Sequence, residues 1–536
     1  MADPQIVRVL GKMEQYSTAR HSLGLYFGVS VACRYAVPRR ISKLDVLRPT
    51  IERAVARVVL EQPYMRVGII DEDTNYPAYV HIPSINLSRH IRWLDPLGAQ
   101  DIDRTMECEL SEQLSYPWEN LDRQPPWKVT VFIICESKED TDKYNDNNDP
   151  DAIAAVEVLY TYHHALGDGT SGTIFHDQLL RAVSSPDPSL TSSLFSSGVS
   201  LTLSEPADLA PTQEELVPFR LSWPYFLRAV WRGYGPSWLQ SKPDTHPWSG
   251  LLPADISRAY AMNLRLFSIP AGTATMLVPL ARAHDTTTTG LFHALTATSL
   301  ARRLPASEAR SFLSGSAISL RRCVDRRTTN GGSFDPETQF AILVSSIAHS
   351  VPLETLARLR DAAVGRGGGN ADEAMWDVAR AVTASLRERV ATLPRDDVSG
   401  LLKYIADMRA FVRYADGKPF SWTWQVSNVG AMLPCPPRKT TAASEQQVGA
   451  HDDGVCGNEA AEGAADRWKI TRAVFSQSAL KTSAAVMLNL VGLVGGELTC
   501  TVTWQDGIMD DKVMEDLVAD LQAFCRSLGD NETLGL

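Results

Sequence analysis

The chain has 536 residues, 44% of them apolar and 21% charged, and carries a net charge of −11. That length exceeds what one hydrophobic core usually fills, and the composition is that of a soluble globular protein built as about two domains. An acidic total excludes a general nucleic-acid binder, which needs a basic face against phosphate.

The first sixteen residues show no charged segment leading into an apolar stretch, so no secretory signal is read there, and residues 5–16 suit a short helix. Residues 24–37 (GLYFGVSVACRYAV) are rich in β-branched and aromatic side chains and read as a strand. Leu44, Leu47, Ile51, Val55, Val58 and Val59 then recur at helical spacing until Pro63 stops them. Residues 128–136 read as a strand, the polar acidic run that follows as a solvated hairpin loop, and 152–164 (AIAAVEVLYTYHH) as the returning strand. Residues 170–183 read as a helix capped by Thr170 or Ser171. The serine- and proline-rich stretch from about 184 to 255 reads as a crossover carrying a few aromatic anchors.

The second half repeats the mixture of helices and strands without a sequence repeat. Its marks are a glycine-rich loop at 365–372, a strong amphipathic helix after it, and an alternating strand at 419–430 holding Trp422 and Trp424 on one face, as core. A polar segment, 434–466, has the composition of disorder. Three strands follow, the last two joined at Gly495 and Gly496, and an amphipathic helix over about 510–528 closes the chain. The apolar stretch 484–494 is too short to span a bilayer and reads as a buried strand. Eight scattered cysteines without a C-x-x-C pair argue against a zinc site or a disulfide framework, and read as free thiols in a cytoplasmic protein.

The densest chemical signal is LYTYHHALGDGTSG, residues 159–172. Along a strand successive side chains point to opposite faces, so His163 and His164 cannot share one cavity. Alternation puts His164 with Val156, Val158, Tyr160 and Tyr162, and His163 with Glu157, Leu159 and Thr161; it does not say which face lines a site. The Gly167-Asp168-Gly169 corner allows a sharp turn, with a strained or positive-φ backbone as the expectation. A histidine fixed there by a hydrogen bond on one ring nitrogen suits general-base work near neutral pH. The rivals are a satisfied core histidine and a metal site, and adjacent imidazoles diverge too far to chelate one ion easily. No G-x-S-x-G, G-x-x-x-x-G-K-[ST] or H-E-x-x-H pattern is present.

His163, His164, Asp168 and Gly169 match the H-H-x-x-x-D-G signature, and the chain resembles the CoA-dependent acyltransferase superfamily of plant acyltransferases and peptide-synthetase condensation domains. More closely it is similar to the fungal alcohol acetyltransferases, through LGKMEQYSTARHSLGLYFGV near the start, SNVG at 427–430, FSQS at 475–478 and GGELTCTVTWQDGIMDDKVMEDL near the end. The plant D-F-G-W-G motif is missing.

This resemblance implies an α/β fold of two chloramphenicol acetyltransferase-like lobes, 1–190 and 263–536, joined by a crossover at 191–262, with a tunnel between them. It implies acyl-CoA, most simply acetyl-CoA, as co-substrate and a small alcohol or a hydroxyl of a secondary metabolite as acceptor, with no metal, no nucleic acid, no stable membrane insertion and a monomer. His164 is then the base, His163 is structural, Asp168 holds the turn through Arg321 or Arg322, and Gly169 gives close packing. Asn428 is either a turn former before Gly430 or a donor near the thioester oxygen or the CoA arm. Ser427, Gly430, Ser476, Gln477 and Ser478 are further candidates for binding substrate or CoA; Ser476, Gln477 and Ser478 either line the tunnel or are outward polar positions of a strand. The pairs Arg438/Lys439 and Lys469/Lys481 are candidates for CoA phosphates. An amine acceptor is the alternative within enzymes, and a ligand-binding protein without turnover is the alternative outside them.

Overall fold

β-branched and aromatic residues build the strands of two mixed sheets. The computed structural model describes residues 4–135, 153–186, 200–234, 247–325, 334–363, 371–435 and 466–534. In chain order the sheet strands are β1 (Val29–Ala36), β2 (Ile91–Trp93), β3 (Trp127–Cys135), β4 (Ile153–Tyr162), β5 (Met262–Ile269), β6 (Leu313–Ser319), β7 (Val344–Ser350), β8 (Trp422–Met432), β9 (Lys469–Gln477), β10 (Ala484–Leu493) and β11 (Leu498–Gln505). The first sheet has the order β9-β1-β4-β3-β2 and the second the order β5-β11-β10-β8-β6-β7. Three neighbouring pairs run parallel, β2 with β3, β6 with β8 and β8 with β10; the rest are antiparallel. The acidic run after Cys135, most of the glycine-rich loop and nearly all of 434–466, with Arg438 and Lys439, lie outside the described residues.

Each sheet buries one side under helices. Helix α1 (Lys12–Ser22) precedes β1; α2 (Leu44–Glu61) and α3 (Gly169–Ser184) pack together over the first sheet, burying Ile51, Val55, Val58, Ile174, Phe175 and Leu179. Helices α4 (Thr288–Arg303), α5 (Ala371–Thr392) and α6 (Asp511–Asn531) form the second core with Val486, Leu488 and Val502. Among the described residues no helix is long and apolar enough to cross a membrane.

Several expectations need correction. Residues 5–16 are not one helix: the β-branched run Ile6–Val9 is a strand, and α1 starts only after Gly11, whose N–H donates to Glu14 Oε2 at 2.5 Å. The corner glycines 167 and 169 have no positive φ. Trp422 and Trp424 do not share a face. Trp424 is buried in the second core, while Trp422 packs toward the first. Between them the buried Thr423 hydroxyl donates to the Trp248 carbonyl and accepts the Leu313 N–H. Cys435 is disulfide-bonded, whereas Cys33, Cys108, Cys135, Cys323, Cys500 and Cys525 are free thiols; local spacing tests only near pairs, and a disulfide needs closeness in space.

The strand β9 belongs by sequence to the second half yet pairs with β1, Lys469 opposite Ala36 through to Gln477 opposite Val29. From β9 the buried Arg472 reaches Asp103 at 2.5 Å and Glu497 at 3.2 Å, an ion-pair cluster that spans both sheets. This crossing holds the lobes against each other along the cleft that contains the histidine motif.

Candidate active site

Strand β4 ends at Tyr162, one residue before the histidine pair, so strict alternation stops there. His163 turns inward and is 1% exposed; its N–H donates to the Pro126 carbonyl and its Nδ1 accepts the Ala165 N–H, both at 2.9 Å. Burial above all, then the neighbouring His21, His164 and Arg20, push its pKa well down, so the ring is neutral. With Nδ1 accepting, the proton sits on Nε2, which has no hydrogen-bond partner among the described residues. His21, Glu72 and His163 offer ligand atoms within 4.8 Å of one another. Yet His21 already accepts the Trp118 N–H on Nε2 and donates from Nδ1 to Glu72 at 2.9 Å, and His163 presents a proton where a cation needs a lone pair. The trio is therefore a brace under the turn.

His164 faces the other way. Its Nδ1 lies 3.0 Å from the Gly167 carbonyl, which only accepts, so Nδ1 carries the proton and Nε2 keeps its lone pair. The ring opens on a cavity of about 270 Å³ between the sheets. Burial first, and the Arg20 guanidinium second, push its pKa down to about 4.

Asp168 points away from this cavity. Its carboxylate caps α3, accepting the Ser171 N–H at 2.9 Å, and it pairs with Arg321 Nη2 at 2.8 Å. It also accepts the Leu343 N–H at 3.2 Å, and Arg321 itself donates to the Pro336 and Gln339 carbonyls. One buried ion pair thus ties the histidine turn to the segment ahead of β7. The corner glycines are required for room: a Cβ at Gly167 would stand 2.5 Å from Ser171 Cβ, and one at Gly169 2.7 Å from Val429 Cγ1 and 3.1 Å from Phe475 Cζ.

Both sheets wall the cavity. From the first come His164, Gly169, Val29, Phe475 and Gln477; from the second, Ala317, Val344, Ser345, Ser346, Trp422, Gln425 and Ser427. Helix α1 closes one side with Met13, Tyr16, Ser17 and Arg20. A buried chain runs away from His164: the Tyr26 ring sits 5.6 Å from that of His164, the Tyr26 hydroxyl donates to Gln477 Oε1 at 2.9 Å, and Gln477 Nε2 donates to Asn489 Oδ1 at 2.7 Å. It fixes Gln477 and the Tyr26 ring beside His164.

Of the residues singled out from sequence, His164, Gly169, Ser427 and Gln477 meet at the cavity. Asn428 does not: its Oδ1 accepts the Gly430 N–H at 2.9 Å and its Nδ2 donates to Thr289, a turn closed by the exposed, positive-φ Gly430. Ser476 is buried with no partner for its Oγ among the described residues, and Ser478 braces the Phe27 and Gly28 N–H groups. Arg321 is the partner of Asp168, and Arg322 is exposed. Lys481 is buried and spends its ammonium on the Ile256 and Arg258 carbonyls, which leaves it unavailable to a phosphate. Sequence reasoning missed Tyr16, Arg20 and Tyr26. Met13, Tyr16, Ser17 and Arg20 stand at i, i+3, i+4 and i+7, and an arginine on such a stripe with an aromatic residue was the readable signal.

No protein-family model matches the chain. It is 30% identical, over 99% of its length and 97% of the relative's, to a probable alcohol acetyltransferase of Fusarium pseudograminearum. It is 23% identical, over 94% and 96%, to a probable alcohol acetyltransferase of Aspergillus fumigatus. Among solved structures it superposes on the trichothecene 15-O-acetyltransferase of Fusarium sporotrichioides with a TM-score of 0.59 at 12% identity, covering 95% of this chain and 93% of that one. It superposes on the first condensation domain of the CDA synthetase with a TM-score of 0.53 at 13% identity, covering 98% of each. The two-lobed fold is that of these proteins.

Proposed function

This chain belongs to the family of the fungal probable alcohol acetyltransferases, and from that premise we propose that it moves an acetyl group from acetyl-CoA to the hydroxyl of a small alcohol or secondary metabolite. It is an acyltransferase, and membership of the family implies acyl-CoA as co-substrate and an alcohol as acceptor. The observation that supports the finer reading is the tautomer of His164: with Nδ1–H spent on the Gly167 carbonyl, the Nε2 lone pair is the free end of the ring at the inter-sheet cavity.

In this reading Nε2 takes the proton of the acceptor hydroxyl as its oxygen attacks the thioester carbonyl. The tetrahedral intermediate collapses with cleavage of the C–S bond, and the imidazolium returns the proton to the departing CoA sulfur. Ester and free CoA leave, and no acyl-enzyme forms. Asp168 acts through the turn, as a positioning residue. The test is incubation with acetyl-CoA and a panel of alcohols and matched amines, with free CoA thiol and products followed by mass spectrometry. Ester formation is the expected result. Amide formation alone would favour an amine acceptor, and tight ligand binding without release of CoA would favour the non-catalytic alternative.

A further inference from the structure

Arg20 is a buried cation with no counter-ion among the described residues. It is 9% exposed, lines the cavity, and its guanidinium makes no hydrogen bond or ion pair among the described residues. Its Nε is buried without a partner. What surrounds it is aromatic: the guanidinium carbon lies 4.4 Å from the centroid of the Tyr16 ring and 4.3 Å from that of Tyr26. Ring faces attract the cation and leave its in-plane N–H donors unanswered. Other buried arginines of this chain are answered by carboxylates, as Arg321 is by Asp168 and Arg472 by Asp103. The Tyr26 ring neighbours both Arg20 and the His164 ring, and Arg20 and His164 line the same cavity.

We propose that Arg20 is a substrate-recognition residue, and that the cavity takes a substrate carrying a carboxylate which the guanidinium binds as a two-pronged ion pair beside the reacting centre. A planar fork of N–H donors matches a carboxylate better than any neutral group of similar size. The carboxylate belongs either to the acceptor, a hydroxy acid, or to the acyl donor, a dicarboxylic half-thioester such as malonyl-CoA. This inference rests on the acyl-transfer reading above.

The experiment uses matched pairs that differ only in the charge. In the acceptor arm, a straight-chain terminal hydroxy acid is compared with its methyl ester, with acetyl-CoA as donor. In the donor arm, malonyl-CoA is compared with acetyl-CoA, with an uncharged alcohol as acceptor. The expected result is a KM lower by about tenfold to a hundredfold for the charged member of one arm. Arg20→Met should abolish that preference, and Arg20→Lys, which keeps the charge and loses the fork, should keep part of it. Absence of preference in both arms, or a preference that survives in Arg20→Met, overturns the inference. If neither arm shows transfer, the acyltransferase reading fails by itself, and calorimetry with glutarate against dimethyl glutarate still decides the site. Glutarate heat in the wild type that is lost in Arg20→Met supports it, and equal binding in the two overturns it.

Discussion

At the scale of single residues, the account depends on which ring nitrogen of His164 carries the proton. The Gly167 carbonyl fixes that choice, and burial with the nearby Arg20 keeps the ring neutral down to about pH 4. A base works only unprotonated, so activity is lost as pH falls through the base's pKa and is flat above it. The expected kcat/KM profile of the free enzyme therefore has its acid limb near pH 4, well below the ordinary histidine value of about 6.5. A limb near the ordinary value would mean that the titrating group is some other residue or is more hydrated than His164. His163 shows how neighbours in sequence part company. The His163 backbone N–H donates to the Pro126 carbonyl and its ring accepts the Ala165 N–H, and its role is to shape the turn.

At the scale of elements, the turn between β4 and α3 is held by the Asp168–Arg321 pair, with side chains 1% and 5% exposed. Removing one partner of a buried pair strands the other's charge, a loss of about 3–5 kcal/mol. Asp168→Ala and Arg321→Met should each cost on that order in urea unfolding, and the double variant should cost clearly less than both together; strict additivity would contradict a direct pairing. The local parts of this site were readable in the sequence. The histidine pair, the turn aspartate and the tight glycine lie within a dozen residues, but the helix cap expected at Thr170 or Ser171 is Asp168, ahead of both hydroxyls. The walls were not readable, because they come from α1, β1, β6, β7, β8 and β9, whose mutual approach is set by packing. Asn428 shows the reverse failure: an amide in a suggestive motif is spent on its own turn through the Gly430 N–H. Trp422 shows a third. It opens β8 as a wall of the cavity, whereas Trp424 two residues on is buried in the second core.

At the scale of the whole molecule, two lobes legible as separate blocks of helices and strands are joined by β9, a strand of the second half in the sheet of the first. Pairing across a gap of several hundred residues leaves no trace in local periodicity, so the crossing emerges only from the coordinates. Both lobes also bury neutral imidazoles. Burial lowers the pKa of His163 and His176 in the first, and of His293 and His349 in the second, where Ser316 bridges the latter two at 2.9 Å on each side. Each group binds its proton less readily folded than unfolded. Stability from them is thus complete above the unfolded value of about 6.5 and declines as pH falls below it, for His176 and His349 through about 4. The melting temperature should drop steadily across that window; a constant value would mean that these rings gain protons without unfolding the core. In the proposed reaction one imidazole lone pair stands where an acyl thioester and a hydroxyl meet, and the measurement that tests this most directly is the rate of CoA release in wild type and His164→Ala at matched melting temperature. A fall on the order of a hundredfold or more is the predicted result, and equal rates in the two proteins would contradict it.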